Sequence, residues 1–304
     1  MRGAGKATFS IVAADRRTGE VGVAVQSKYF AVGLVVPWAE AGVGAVATQA
    51  AGVAAYGRRA LDELRGGVAP EEALRRVLLG DAGRETRQLG VVSSDGAAAA
   101  WTGSECQSWA GHRVGKGYAV QGNILAGEAV VTEMERAWLE TAGSFTHRLV
   151  SVLEAAQAAG GYARGQQSAA LVVERSGAAA EGREGIDRVC QLHVEDHEQP
   201  IAELRRLFGI WERWEAMRAS WAAAQGGDAE EAARLAEQAL ALDPDDAEML
   251  YNLACYRALA GRDDEALDLL ARCLPQNASL RVHARTDSDL DSLRGRPDFQ
   301  ALLG

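Results

Sequence analysis

Apolar and polar positions alternate strongly over the first 200 residues and then give way to long helical stretches. TFSIVAAD and EVGVAVQS are two apolar-rich runs joined by RRTGE, a turn with Gly19 in it, and together they predict a β-hairpin. GVGAVATQA is a third strand, dense in glycine and small residues, where backbone or ligand can approach closely. In YGRRALDELRGGVAPEEALRRVLLG, residues Leu61, Leu64, Ala73, Leu74, Val77 and Leu78 recur at helical spacing, and Gly66-Gly67 splits the run into two helices. RQLGVVSSDGAAAAWTG predicts a second hairpin around Asp95-Gly96, and GYAVQGNILAG a strand running into a loop. VVTEMERAWLETAG and FTHRLVSVLEAAQAAGG read as helices, and QSAALVVERS and DRVCQLHVED as further strands. Strands, helices and strands again predict sheets covered by helices, an α+β arrangement rather than a simple βαβ winding.

After Pro200 the pattern is almost unbroken helix. Gly227, Glu231, Ala232, Leu235 and Ala239 match Gly261, Glu265, Ala266, Leu269 and Cys273 at a constant interval of 34 residues. With LDP at Leu242–Pro244 closing a unit, this is a tetratricopeptide-like signature, and DSDLDSLRGRPDFQALLG reads as its cap. Two units cannot bury their own apolar face. The cluster Trp211, Trp214 and Trp221 is therefore expected to dock on the first domain or on a second subunit, a homodimer being the favoured assembly. The expected division is 1–208 and 209–304.

The chain has 304 residues, 48% of them hydrophobic, and a formal net charge of −10, which speaks against a nucleic-acid footprint. Cys106, Cys190, Cys255 and Cys273 form no CxxC pair, so neither a zinc site nor a disulfide framework is expected. No apolar run suits a signal peptide or a bilayer span, so the expectation is a cytoplasmic protein with no membrane partner. His193 and His197 alternate as strand residues do, which puts them roughly 13 Å apart and argues against a shared metal. No metal or cofactor is expected, because GVGAVATQAAG lacks the order of a nucleotide-binding loop.

Candidate chemistry concentrates in two places. WTGSECQSWAGHRVGKGYAVQGNILAG is rich in glycine and polar groups and carries Cys106, His112, Gln121 and Asn123. Cys106 is expected to be a small buried thiol. The other place is Thr8, a hydroxyl at the start of a core strand. At a mature N-terminus its own α-amine, with a pKa of about 7.7 to 8.0, is a built-in base for that hydroxyl. Asp15 ends the strand, Lys28 follows the next one, and Gly42 and Gly44 open a third whose amides are candidate oxyanion donors. A structural Thr with a surface Lys accounts for the same residues.

TFSIVAAD, SKYFAVG, VPWAEAGVGAVATQA, GSECQSWAGH, YAVQGNILAG, GQQSAAL and VEDHEQPIAELRRL, spread over residues 8 to about 208, resemble the domain-of-unknown-function family numbered 1028. That resemblance implies a four-layer αββα sandwich of N-terminal nucleophile hydrolase type with amidase-type chemistry. It raises Thr8 to the expected nucleophile, tuned by Lys28 and Asp15. Asn123 and amides near Gly44 would hold the oxyanion, and Gln49, His112 and Gln121 would contact a small-molecule or peptide amide. Family members begin Met-Thr-Phe-Ser or similar, whereas RGAGKA separates Met1 from Thr8 here, so removal of that leader is the expected activating step. Some relatives carry a peptidoglycan-binding module, which points to cell-wall amides. The competing expectation is a non-enzymatic binding protein that recruits a protein partner through its helical repeats.

Overall fold

The computed structural model describes residues 7–162, 165–178 and 185–304. The chain divides into two compact units, 1–206 and 207–304. The first is α+β with two antiparallel sheets. Strands β1 (Thr8–Asp15), β2 (Glu20–Ser27), β7 (Gly111–Gly115), β8 (Tyr118–Asn123), β9 (Ser168–Arg175) and β10 (Arg188–Val194) form a six-stranded sheet in the order β10-β9-β2-β1-β8-β7. Strands β3 (Pro37–Glu40), β4 (Gly44–Ala50), β5 (Arg87–Ser93) and β6 (Ala98–Thr102) form a four-stranded sheet in that order.

The first hairpin forms as its pattern predicts, with Thr8 opposite Ser27 and Asp15 opposite Glu20 across a turn where Gly19 takes φ +76°. β3 and β7 were not legible as strands. Both are short edge strands: β3 opens on a proline, which breaks the strand pattern of the apolar run it lies in, and β7 is bounded by glycines with no apolar run of its own.

The two sheets face each other. Val12, Val23 and Val25 pack against Ala45, Ala47 and Val92 in one buried cluster. Helices α1 (Ala55–Arg65) and α2 (Pro70–Leu78) cover the outer face of the four-stranded sheet, where Leu61, Leu64, Leu74 and Val77 meet Val46, Leu89 and Val91. Pro70 at the first turn of α2, with Glu71 and Glu72 behind it and Arg75 and Arg76 in the last turn, suits the helix dipole. Helices α3 (Ala129–Glu140) and α4 (Phe145–Ala158) cover the six-stranded sheet, and α4 lies so close that a Cβ on Gly22 would stand 3.0 Å from Leu149 and 3.1 Å from Phe145. Alternation along each strand therefore sends one set of side chains between the sheets and the other under the helices.

The second unit is helical. Helix α5 (Pro200–Gln225) begins in the first unit and continues into α6 (Ala229–Leu242), α7 (Ala247–Leu259), α8 (Asp263–Cys273), α9 (Ala278–Ala284) and α10 (Pro297–Leu303). Small residues of the 34-residue interval are buried at helix contacts: Ala232 and Ala239 in one cluster, Ala266 and Cys273 in the next. Among the described residues no helix is long and apolar enough to cross a membrane.

Candidate active site

At one end of the inter-sheet space the valines give way to polar residues. Thr8 and Ser10 on β1, Ser27 on β2, Gln49 on β4, Gln88 on β5, and Gln121 and Asn123 on β8 are all at most 3% exposed. They form a continuous hydrogen-bonded ladder, in which Gln121 Oε1 is left without a partner among the described residues. Gln121 Nε2 donates to Ser10 Oγ (2.7 Å), which donates to Gln49 Oε1 (2.6 Å). Gln49 Nε2 and Asn123 Nδ2 both donate to Gln88 Oε1, at 2.8 and 2.9 Å, and each also reaches the Thr8 carbonyl, at 3.4 and 3.5 Å. Gln88 Nε2 donates to the Gly122 carbonyl (2.8 Å) and to Thr102 Oγ1 (3.0 Å), which in turn lies 2.8 Å from His112 Nδ1. Gly90 is what lets Gln121 lie against β5, since a Cβ there would stand 2.3 Å from Gln121 Oε1.

Thr8 Oγ1 is 2.9 Å from Ser27 Oγ, and Ser27 Oγ donates to the Ala7 carbonyl at 2.8 Å. The Lys28 amide donates to the same carbonyl at 3.0 Å. The peptide carbonyl that precedes Thr8 thus sits between two donors. The Ala7 methyl packs with Ile124 and Tyr162. Beside Thr8 opens a cavity of about 190 Å³ whose wall includes Ser27, Tyr29, Val32, Val36, Gln49 and Ala54. Ser168 on β9 pins the loop that forms this wall, donating to the Tyr29 carbonyl and accepting from the Val32 amide (3.1 Å).

Among the described residues, Ala31, Ala50 and Ile124 are the non-glycine residues with positive φ, at 54°, 65° and 55°. All three border this region: Ala31 precedes Val32, Ala50 lines the cavity, and Ile124 packs on Ala7. Left-handed backbone costs about 1–2 kcal/mol at a residue with a Cβ, and such strain gathers where a site needs it.

The sequence-expected residues divide. Thr8 and Gln49 line the cavity, while Asn123 and Gln121 join the ladder without lining it. Asn123 Nδ2 already donates to Gln88 and approaches the Thr8 carbonyl, so Ser27 Oγ–H and the Lys28 amide are better placed as oxyanion donors. His112 sits on edge strand β7 and reaches the ladder only through Thr102; desolvation lowers its pKa below the usual imidazole value. Lys28 is exposed, and its Nζ donates to the Gln166 carbonyl at 3.1 Å; its backbone, not its ammonium, meets the Ala7–Thr8 peptide.

Two expectations fail on distance. Asp15 ends β1 seven residues from Thr8, about 23 Å away at strand rise, and caps its own hairpin by accepting from the Arg17 amide at 2.8 Å. Gly44 begins β4, five residues and about 17 Å from Gln49. It is glycine because a Cβ would stand 2.2 Å from the Val92 carbonyl. Cys106 is half-buried rather than buried; its thiol donates to the Arg87 carbonyl at 3.3 Å and burial pushes its pKa up, so it is no thiolate nucleophile. The RGAG and Lys6 of the leader lie outside the described residues. Ser10, Ser27 and Gln88 were not singled out from sequence, although each is a polar residue at an inward position of an apolar strand.

No curated protein matches the chain. The crystal structure of protein SPO2555 from Silicibacter pomeroyi, itself assigned to DUF1028, is similar: 33% identical, with a TM-score of 0.60, over 66% of this chain and 88% of that one. Residues 8–204 match the model of the family of unknown function DUF1028, a match that begins at Thr8. The chain therefore belongs to the family of unknown function DUF1028.

Proposed function

We propose that the first unit is an N-terminal nucleophile hydrolase that cleaves a C–N amide bond with Thr8, and that its sheets and helices are the αββα sandwich of that class. The observation that carries the reading is the Thr8 hydroxyl, buried beside a cavity and adjoining a carbonyl held by two donors. Once residue 7 is removed, the α-amine of Thr8 is free. It takes the proton from Oγ1 as Oγ1 attacks the substrate's amide carbon. The substrate carbonyl takes the place now held by the Ala7 carbonyl, with Ser27 Oγ–H and the Lys28 amide facing the developing negative charge. The C–N bond breaks, the amine departs with the proton returned by the α-ammonium, and water then hydrolyses the Thr8 ester.

The second unit is read as a short tetratricopeptide-like array, on the strength of its 34-residue interval and its buried small residues. The non-enzymatic alternative draws on one observation: Ala7 fills the space in front of Thr8 while the leader is attached. Intact-mass spectrometry separates the two. The hydrolase reading expects a chain beginning at Thr8, with hydrolysis of an amide panel that Thr8→Ala abolishes. A retained leader, with no difference between wild type and Thr8→Ala, overturns it.

A further inference from the structure

A second cavity, of about 440 Å³, opens within the helical unit on residues of α5, α7 and α9 and the segment after α9. Trp221, Cys255 and Asp289 all line it, and they stand at the 34-residue interval that relates the helical pairs, so the repeat brings one recurring position to a single hollow. Glu248, Asp287 and Asp289 give it three carboxylates, and neither lysine nor arginine is among the described residues that line it. Inside it the Cys255 thiol and one carboxylate oxygen each of Asp287 and Asp289 lie within 4.8 Å of one another. Cys255 Sγ stands 3.6 Å from Asp287 Oδ2, and His283 Nε2 stands 3.4 Å from the same oxygen. Metal–ligand bonds of about 2.3 Å to sulfur and 2.0 Å to nitrogen or oxygen put tetrahedral neighbours about 3.3 to 3.5 Å apart. The Asp289 carboxylate accepts no hydrogen bond and forms no ion pair among the described residues.

We propose that Cys255, Asp287 and Asp289 bind a zinc ion in this cavity, with His283, whose ring is exposed, as the fourth donor, and that the ion ties α7 to the segment after α9. Calcium and magnesium prefer shells of oxygen alone, whereas a thiolate, an imidazole and two carboxylates are a zinc donor set. Asp287 is already oriented for the role: its Oδ1 accepts from the Asp289 amide at 3.0 Å and its Oδ2 from the Tyr251 hydroxyl at 2.8 Å. Such outer contacts fix a ligating carboxylate. Cys255 is 4% exposed and has little room to swing away. On binding, its proton leaves to solvent and the thiolate sulfur bonds the ion. No CxxC-type spacing announces the set, because the helical repeat, not a short loop, brings Cys255 to a residue 32 positions further on.

The full-length protein, stripped with a chelator, is titrated with cobalt(II), whose thiolate complexes absorb in the near ultraviolet, and then with zinc. A single equivalent of cobalt should bind and give the thiolate band. Zinc should displace it, bleach the band and raise Tm. Cys255→Ser should lose the band, while Cys106→Ser keeps it. Tyr251→Phe removes no ligand, yet should weaken binding by about 10–100-fold, and Asp289→Asn should weaken it at least as much. Circular dichroism of each metal-free variant reports its folding; should Cys255→Ser fail to fold, Asp289→Asn, at a half-buried position, decides in its place. No thiolate band with cobalt in excess overturns the site. So does a band that survives Cys255→Ser, or an affinity that Asp289→Asn leaves unchanged.

Discussion

Ser27 Oγ bridges Thr8 Oγ1, at 2.9 Å, and the Ala7 carbonyl, at 2.8 Å. A hydroxyl has one proton. Ser27 donates it to Ala7, so the Thr8 hydroxyl donates to Ser27, and its proton is directed towards β2 while the Ala7–Thr8 peptide is intact. Ser27→Ala removes the acceptor of the Thr8 proton and one of the two donors on the Ala7 carbonyl. Loss of a single oxyanion donor slows acyl transfer by about 10²–10³-fold, whereas one neutral hydrogen bond contributes about 1 kcal/mol to stability. The variant should therefore show slow appearance of a chain beginning at Thr8 in a mass-spectrometric time course, with a modest fall in Tm. Unchanged processing would leave Ser27 a purely structural residue.

Gln88 is the hub of the ladder: its Oε1 accepts from Gln49 and Asn123, and its Nε2 donates to the Gly122 carbonyl and Thr102. Gln88→Leu fills the same volume and strands several buried donors and acceptors at once. Each group so stranded costs about 1–3 kcal/mol, so the loss should reach about 3 kcal/mol or more in urea unfolding. Gln88→Glu should lose a comparable amount, because a carboxylate oxygen would replace the amide that now donates to the Gly122 carbonyl. A loss below about 1 kcal/mol in Gln88→Leu would mean the ladder is not cooperative.

The strands that carry this ladder were legible because their apolar residues run long enough to mark them, as in TFSIVAAD and EVGVAVQS. Thr8, Gln49 and Asn123 were legible as candidates, Thr8 because a hydroxyl opens a core strand. Ser27 and Gln88 carried a weaker signal, a polar residue at an inward strand position, which a single sequence cannot separate from an outward one until register is known. Asp15 shows the opposite failure. Closeness along the chain suggested a partner for Thr8, yet both are ends of one extended strand, which sets them as far apart as that strand allows. Lys28 was placed by its side chain, whereas its amide is what meets the site.

Gly44 provides a test of that reassignment. A methyl group there collides with the Val92 carbonyl, backbone that cannot step aside. Gly44→Ala should cost about 2 kcal/mol, or about 4–8 °C in Tm for a unit of this size. Activity per folded molecule should be unchanged, since Gly44 lies at the far end of β4 from the cavity. A stable variant with impaired chemistry would return Gly44 to the site.

His112 links the ladder to solvent and makes it sensitive to pH. Thr102 Oγ1 accepts from Gln88 Nε2 and has its own proton left for His112 Nδ1, so the arrangement suits a neutral imidazole. Desolvation lowers the pKa of this ring in the folded protein. The unfolded chain, with a histidine pKa of about 6.5, then binds the proton more readily than the folded one. Stability carried by the neutral ring is complete above about pH 6.5 and is lost as pH falls from there towards the folded pKa. Protonation puts a hydrogen on Nδ1, so the Thr102 hydroxyl proton must rotate away from the ring and its oxygen must accept from both Gln88 and His112. Chemical denaturation at pH 7.5 and pH 5.5 should show a drop for wild type that is smaller in His112→Ala, and an NMR titration should place the His112 transition below that of a free imidazole. A transition at or above the free value, with equal pH dependence in the two proteins, would separate His112 from the ladder.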